Sequence, residues 1–228
     1  MYKDEHQEFI ITSIEKQKRS KSRYNIFVND EYAFSVHEDI MIKHRLMKGE
    51  IIHPEHTQTI LEDEERNKAY LKALGMIGRR PHSAVEIKRK LKESGFEEVI
   101  ITWACERLQE QNYVNDEQFA KMWSEHRIYS QKKGRNWVKQ ELQQKGVQKE
   151  IVQEAIQAID PEEEYHGAYK LGHNKWKLTS GSLLDKKRKT AAFLLRRGYT
   201  HSIVNKVLSE VGGNVEDNDG FEVWEDES

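Results

Sequence analysis

The chain has 228 residues, of which 36% are hydrophobic and 33% charged, with a formal net charge of −2. No apolar run approaches the ~20 residues that a helical bilayer crossing needs, and the single cysteine, Cys105, excludes an intrachain disulfide framework. The charge is uneven: Glu216 to Ser228 holds seven acidic residues and no basic one, so the remainder carries about +5, which points to an anionic partner.

The opening run, Met1 to Glu8, is polar and does not read as a secretory leader, so a cytoplasmic protein is expected. Residues 9–52 read differently from the rest. Phe9 to Ile14 is β-prone, and Arg23 to Val28 alternates with β-branched and aromatic residues. Asn29-Asp30 is a turn dipeptide, after which Glu31 to Val36 returns as a third strand. Such a meander has one apolar face and needs a cover. The expected cover is a helix over His37–Leu46 that presents Ile40, Leu46 and one of Met41 or Ile42, with Gly49 closing it. The tip between the first two strands, Lys16 to Arg23, carries five cations in eight residues. It is either a phosphate contact or a solvated hairpin loop.

From Pro54 the chain turns helical, since a proline at the first helical position loses no needed N–H. Tyr70, Leu71, Leu74 and Ile77 make the expected apolar stripe of this helix, and Ser83 with Glu86 forms a capping box for the next. A pattern then repeats three times. Leu91, Gly95 and Ile100 recur as Leu142, Gly146 and Ile151, and again as Leu194, Gly198 and Ile203. The leucine lies four residues before the glycine and the isoleucine five after it. The glycines are 51 and 52 residues apart, a period that implies a tandem helical array.

Each repeat gains a helix in front of this pair. In the second it spans Glu117–Tyr129, with Asn115 and Gln118 as capping box and Phe119, Met122, Trp123 and His126 as core positions. In the third it starts at Asp160-Pro161 and reaches Leu171, followed by a long connection from Gly172 to Asp185. Cys105 falls inside an apolar helix and reads as a small buried thiol. The expected fold is mainly α: tandem three-helix repeats in an elongated array, preceded by a small N-terminal β-meander with a helix. The expected domains are 1–53 (β-rich), 54–114 (linker helix and repeat 1), 115–160 (repeat 2), 161–212 (repeat 3) and 213–228, an acidic tail too polar to order itself. Phe221 and Trp224 in that tail are either incidental or a short interaction motif.

The residues offer little chemistry of the enzymatic kind. There is no glycine-rich phosphate loop and no nucleophile elbow. His53 and His56 lack further ligands at metal spacing, and His166 and His173 are seven apart, a spacing that could put them on one helical face but is a common accident in a chain with ten histidines. No enzyme, cofactor or metal is expected. Cations are abundant instead. Arg79, Arg80, Lys88, Arg89, Lys90 and Lys92 lie in repeat 1, and Arg127, Lys132, Lys133, Arg135 and Lys139 in repeat 2. Lys186, Lys187, Arg188, Lys189, Arg196 and Arg197 lie in repeat 3. Each group surrounds the helix before a repeat glycine, so stacked repeats would align them as a basic strip for a polyanion or an acidic protein surface.

Arg79-Arg80-Pro81-His82-Ser83, Leu91 with Gly95-Phe96, Tyr113 with Asp116 and Phe119-Ala120, and Leu142 with Lys145-Gly146-Val147 together resemble the RecX family of recombinase regulators. The resemblance covers about residues 66–212. Residues 24–50 resemble the N-terminal extension of RecX proteins from Bacillus-type bacteria. It implies tandem three-helix repeats, binding in the helical groove of the RecA filament on single-stranded DNA, and inhibition of ATPase, strand exchange and coprotease activity toward LexA-type repressors in the SOS response. Some members also bind DNA directly, single-stranded or double-stranded. A monomer is expected, with no membrane partner. The Gly172–Asp185 connection and the acidic tail depart from the family pattern. A helical-repeat protein that acts on DNA itself, and a scaffold with neither partner, stay open as alternatives.

Overall fold

A computed structural model of the chain describes residues 8–213; the acidic tail with Phe221 and Trp224, and the start of the polar N-terminal run, lie outside the described residues. The described chain forms two compact units that part at Asn115/Asp116.

The first unit opens with three antiparallel strands in the order β1 (Ile11–Lys16), β2 (Arg23–Val28), β3 (Glu31–His37). The first strand starts and ends two residues later than expected. Asn29 and Asp30 both take left-handed backbone angles, φ 49° and 67°, which match the right-handed twist of a tight hairpin. The Asn29 side chain locks the turn, accepting from the Ile10 N–H and donating to the Glu8 carbonyl. Ile11, Ile26, Phe34 and Val36 form the covered face.

The cover differs from expectation. Helix α1 is only Glu38–Lys43, because Arg45 turns left-handed at φ 53°. Ile40 and Leu46 are buried and Met41 packs partly, while Ile42 is exposed. Gly49, at φ +92°, does not cap this helix; its N–H donates to Ile11, tying the following turn to β1.

Helix α2 (Pro54–Ile77) has 24 residues, a length of about 36 Å. Its first half closes the β core with Ile60, and its second half enters repeat 1 with Ala69 and Ala73. Buried polar bonds fix the first half. Glu64 is 2% exposed and takes the Arg23 guanidinium at 2.7 Å and the His37 N–H at 2.8 Å. Asp63 takes Lys43 at 2.7 Å and His44 Nε2 at 2.8 Å. Burial pushes the Asp63 carboxyl up, but the bonds from Lys43 and His44 outweigh it and hold it below its ordinary value.

Repeat 1 adds α3 (Ala84–Glu93) and α4 (Glu98–Glu110) to the second half of α2. In the second unit, α5 (Asp116–Glu125) runs into a π-helical turn at His126–Ser130, then α6 (Arg135–Gln144) and α7 (Lys149–Gln157) follow. Repeat 3 is α8 (Pro161–Leu178), α9 (Leu183–Arg196) and α10 (His201–Val211). The periodic leucines Leu91, Leu142 and Leu194 are fully buried. Cys105 is a buried thiol, as expected, and burial raises its pKa.

The repeat glycines share one geometry. Gly95, Gly146 and Gly198 sit at φ +86°, +77° and +87°, where an L side chain is strained. In each turn the residue after the glycine donates its N–H back to the leucine carbonyl: Phe96 to Leu91, Val147 to Leu142, Tyr199 to Leu194. The glycine N–H bonds one residue further on, to Lys92, Gln143 and Leu195. This is the Schellman closure, repeated three times.

Three expectations about helix faces need correction. Leu71 is exposed, and α2 buries Ala69 and Ala73 instead. Met122 and His126 are exposed, and α5 buries Ala120 and Ser124 beside Phe119. The long connection in repeat 3 does not exist: Gly172 lies within α8, and only residues 179–182 join it to α9. The reason is common to all three. The first and third helices of each repeat lie side by side, and each first helix buries a pair of small residues four apart: Ala69/Ala73, Ala120/Ser124 and Ala168/Gly172. A Cβ at Gly172 would come 2.6 Å from Val207 of α10. Close helix approach selects small side chains, which a reading based on large apolar residues passes over.

His82, 7% exposed, lies in the α2–α3 turn with Nδ1 2.8 Å from the Arg80 carbonyl. Burial, chiefly, lowers its pKa from the ordinary 6.5. The folded state therefore binds this proton less readily than the unfolded chain, so the stability due to neutral His82 is lost as pH falls below 6.5, by up to about 1.4 kcal/mol per pH unit until the folded pKa is reached. Denaturant titrations of the parent and of His82→Gln should converge as pH drops from 7 to 5. Parallel curves would contradict the assignment.

Candidate partner and nucleic-acid interface

The cationic residues surround α3, α6 and α9, the helices before the repeat glycines, and the structure separates them by what they touch. On α3, Lys88, Arg89 and Lys92 are exposed. Arg89 lies 3.8 Å from Glu93 and Lys92 lies 3.9 Å from Glu98, surface pairs that hold a side chain weakly. Arg79 is exposed in the preceding turn. Arg80 is committed: its two terminal nitrogens reach both oxygens of Glu86, whose carboxylate also closes the capping box with Ser83.

Repeat 2 commits more of its cations. Arg127 Nε lies 2.6 Å from Glu141, and its guanidinium stacks 4.3 Å over the Trp123 ring. The same carboxylate oxygen of Glu141 accepts from Trp123 Nε1 at 2.9 Å. Arg135 donates both its backbone N–H and its Nε to Glu164, at 2.8 and 2.6 Å, and the Glu164 side chain is fully buried. Lys132 is the left-handed residue of the loop before α6, at φ 51°, and its carbonyl accepts from the Tyr199 hydroxyl at 2.8 Å. Lys133 places its ammonium 3.5 Å from the centre of the Trp137 ring. Burial, with repulsion from Arg197 behind it, lowers the Lys133 pKa. Lys139 is exposed on the outer face of α6.

Arg197 of repeat 3 crosses to the same loop and donates to the carbonyls of Gln131 and Lys132. Beneath it the backbones of repeats 2 and 3 touch directly. Gly134 donates its N–H to Arg197 at 2.8 Å, and Asn136 donates to Gly198 at 3.0 Å. A Cβ on Gly134 would overlap the Gly198 carbonyl, and one on Gly198 would overlap Trp137. Gly198 is thus required twice, by its turn and by its neighbour.

On α9 the cations stay outside. Lys189 is exposed; Arg188 is 71% exposed and 3.7 Å from Asp185. Lys186 and Lys187 are half-buried, with Lys186 near the Trp176 ring, and Arg196 is exposed. Of the seventeen candidates, Arg80, Arg127, Arg135 and Arg197 therefore have their guanidinium groups held in specific folded contacts, Lys132 is tied down through its backbone carbonyl, and Lys90 is half-buried. The solvent-facing set is Arg79, Lys88, Arg89, Lys92, Lys139, Arg188, Lys189 and Arg196.

Two cationic features lie beyond that set. Lys145 sits 4.2 Å over the Trp123 ring, so this indole carries one cation from the π-helical turn and one from the C-cap of α6. At the β1–β2 tip, Arg23 is spent on Glu64, leaving Lys18, Arg19 and Lys21 exposed. No helix of the described residues is long and apolar enough to cross a membrane.

Comparison with known proteins identifies this arrangement. Four family models match in succession: the RecX N-terminal domain over residues 9–53, and the first, second and third RecX three-helix domains over 69–108, 115–156 and 162–208. The regulatory protein RecX of Clostridium perfringens strain SM101 is 34% identical over 207 residues, covering 90% of this chain and 97% of that protein. The chain belongs to the RecX family of regulatory proteins. The RecX of Bacillus cereus strain AH820 is also 34% identical, over 91% of this chain and 79% of its own length. A crystal structure of a regulatory protein RecX superposes with a TM-score of 0.70 at 27% identity, covering 87% of this chain and 98% of the other. The RecX of Lactobacillus salivarius, at 20% identity and a TM-score of 0.61, shares the fold.

Within this RecX family member, the sorting of cations makes a direct prediction. Arg135→Ala strips the buried Glu164 of its charged partner and should cost about 2–3 kcal/mol. Lys139→Ala, on an open helix face, should stay within about 0.5 kcal/mol of the parent. Calorimetric unfolding of the two variants checks this. Equal melting temperatures would mean that Arg135 is as free as Lys139.

Proposed function

We propose that this RecX family member is a negative modulator of the RecA recombinase, which binds the RecA filament on single-stranded DNA and inhibits its ATPase, strand exchange and coprotease activity. The observation that carries the reading is family membership across nine-tenths of the chain. The exposed cations of α3, α6 and α9 support it: they face solvent without buried partners and suit an acidic protein groove, the enclosed DNA, or both. No catalytic role is assigned, and the protein works as a monomer in the cytoplasm in this reading. The domains it uses are those read from the sequence, the β-rich segment and three helical repeats.

A second reading rests on the same cations. Helix pairs closed by a glycine turn, with basic outer faces, also suit direct binding to DNA. The readings differ in salt response, since phosphate-dominated binding to bare DNA weakens steeply with salt.

Replacing Lys186, Lys187, Arg188 and Lys189 together with Ala should weaken binding to RecA–single-stranded DNA filaments by roughly tenfold or more while the helical circular dichroism stays that of the parent. Unchanged filament binding by a folded variant would remove α9 from the interface. Binding that falls equally on bare DNA and on filaments would favour the second reading.

A further inference from the structure

One end of repeat 3 carries features that neither its core nor its junction with repeat 2 explains. Leu178 ends α8 at 85% exposure, and Leu183 and Leu184 begin α9, the latter at 66% exposure. Three leucines at one corner are costly to leave in water, and they stand directly beside the α9 cations Lys186, Lys187, Arg188 and Lys189. Among the described residues, Asp185 is the carboxylate paired with this cluster; it is held by Ser182 and lies 3.7 Å from Arg188.

The chain leaves repeat 3 at this same corner. Helix α10 ends at Val211, and a Cβ added at Gly212 would lie 3.6 Å from the Trp176 ring of α8 and 3.8 Å from Cε of Lys187. Gly212 therefore lies beside the cation cluster, and fifteen residues follow Gly213 in the sequence. Their sequence, NVEDNDGFEVWEDES, holds seven carboxylates, no cation, and the apolar residues Phe221, Val223 and Trp224. Extended, fifteen residues span roughly 50 Å, many times what is needed to cover the first turns of α9.

We propose that the α8–α9 corner is the docking surface for the chain's own acidic segment, residues 214–228. The carboxylates meet Lys186 to Lys189, and the Phe221–Trp224 stretch covers Leu178, Leu183 and Leu184. Tethering makes the encounter intramolecular, at an effective concentration in the millimolar range, so weak pairwise attractions suffice. A consequence follows if α9 also serves the proposed function, and this part rests on that reading: the segment competes in cis with any polyanion or acidic surface for the same cations, and sets a threshold that an external ligand must exceed.

Zero-length carbodiimide cross-linking of the full chain, read by peptide mass spectrometry, tests the docking without any ligand. Cross-links from carboxylates of 216–227 should concentrate on Lys186, Lys187 and Lys189 within monomers and disappear in about 1 M salt. Cross-links spread evenly over exposed lysines such as Lys88, Lys92 and Lys139, or found only in cross-linked dimers, would overturn it. The competition is tested by deleting residues 214–228 and measuring affinity for an oligothymidylate of about 20 nucleotides. Affinity should rise roughly tenfold at low salt, with the gap closing as salt increases. Equal affinities at every salt concentration would overturn the competition. Together with localised cross-links, they would show that the docking holds and that the use of α9 for an anionic partner fails.

Discussion

Each repeat depends on one backbone turn. The helix before the glycine must stop, reverse and deliver the next helix at a fixed angle, and it does so by handing the leucine carbonyl to the N–H two residues past the helix cap. The leucine is therefore held at both ends, its side chain in the core and its carbonyl in the turn. Only glycine takes the left-handed angle between them without strain. The spacing of leucine, glycine and the following apolar residue is the signature of that geometry. It also accounts for the placement of the cations: the helix whose inner face and terminus are fixed this way presents its remaining faces to solvent.

The third copy of the turn has acquired a second duty. Gly198 closes α9 and at the same time lies against the backbone of Gly134 and Trp137 in repeat 2. Tyr199 and Arg197, on either side of it, bond to carbonyls of the loop before α6. Glu164 completes the junction from α8 through Arg135. Repeats 2 and 3 are thus joined by backbone bonds, side-chain bonds to carbonyls and an ion pair to the buried Glu164, which fixes the positions of α6 and α9 with respect to each other. A binding face that uses both helices is then preorganised within this unit.

Much of this was legible in the sequence because the relevant constraints are local. The left-handed glycines, the Asn29-Asp30 hairpin, the Ser83–Glu86 capping box and Pro54 at a helix start each act over a few residues. The face assignments that failed depend on distant neighbours. Ala69, Ala120 and Gly172 are buried because another helix lies close, and small size is a weak signal beside a large apolar residue such as Leu71 or Met122. The first two small pairs do recur with the repeat, Ala69/Ala73 and Ala120/Ser124 being 51 residues apart, so the period itself could have revealed them, whereas Ala168/Gly172 follows 48 residues later and falls out of that register. The candidate cations show the same division. Their clustering is visible in the sequence, but the partners of Arg127 and Arg135, Glu141 and Glu164, lie 14 and 29 residues away, and nothing local marks those two arginines as structural.

The proposed action on the RecA filament is tested by the single-stranded-DNA-stimulated ATPase of the cognate RecA, titrated with this protein. Hydrolysis should fall as the protein is added, at protein concentrations too low to coat the DNA, and the loss should persist when extra single-stranded DNA is supplied. An ATPase rate that stays constant throughout the titration, or that recovers fully in proportion to added DNA, would contradict it.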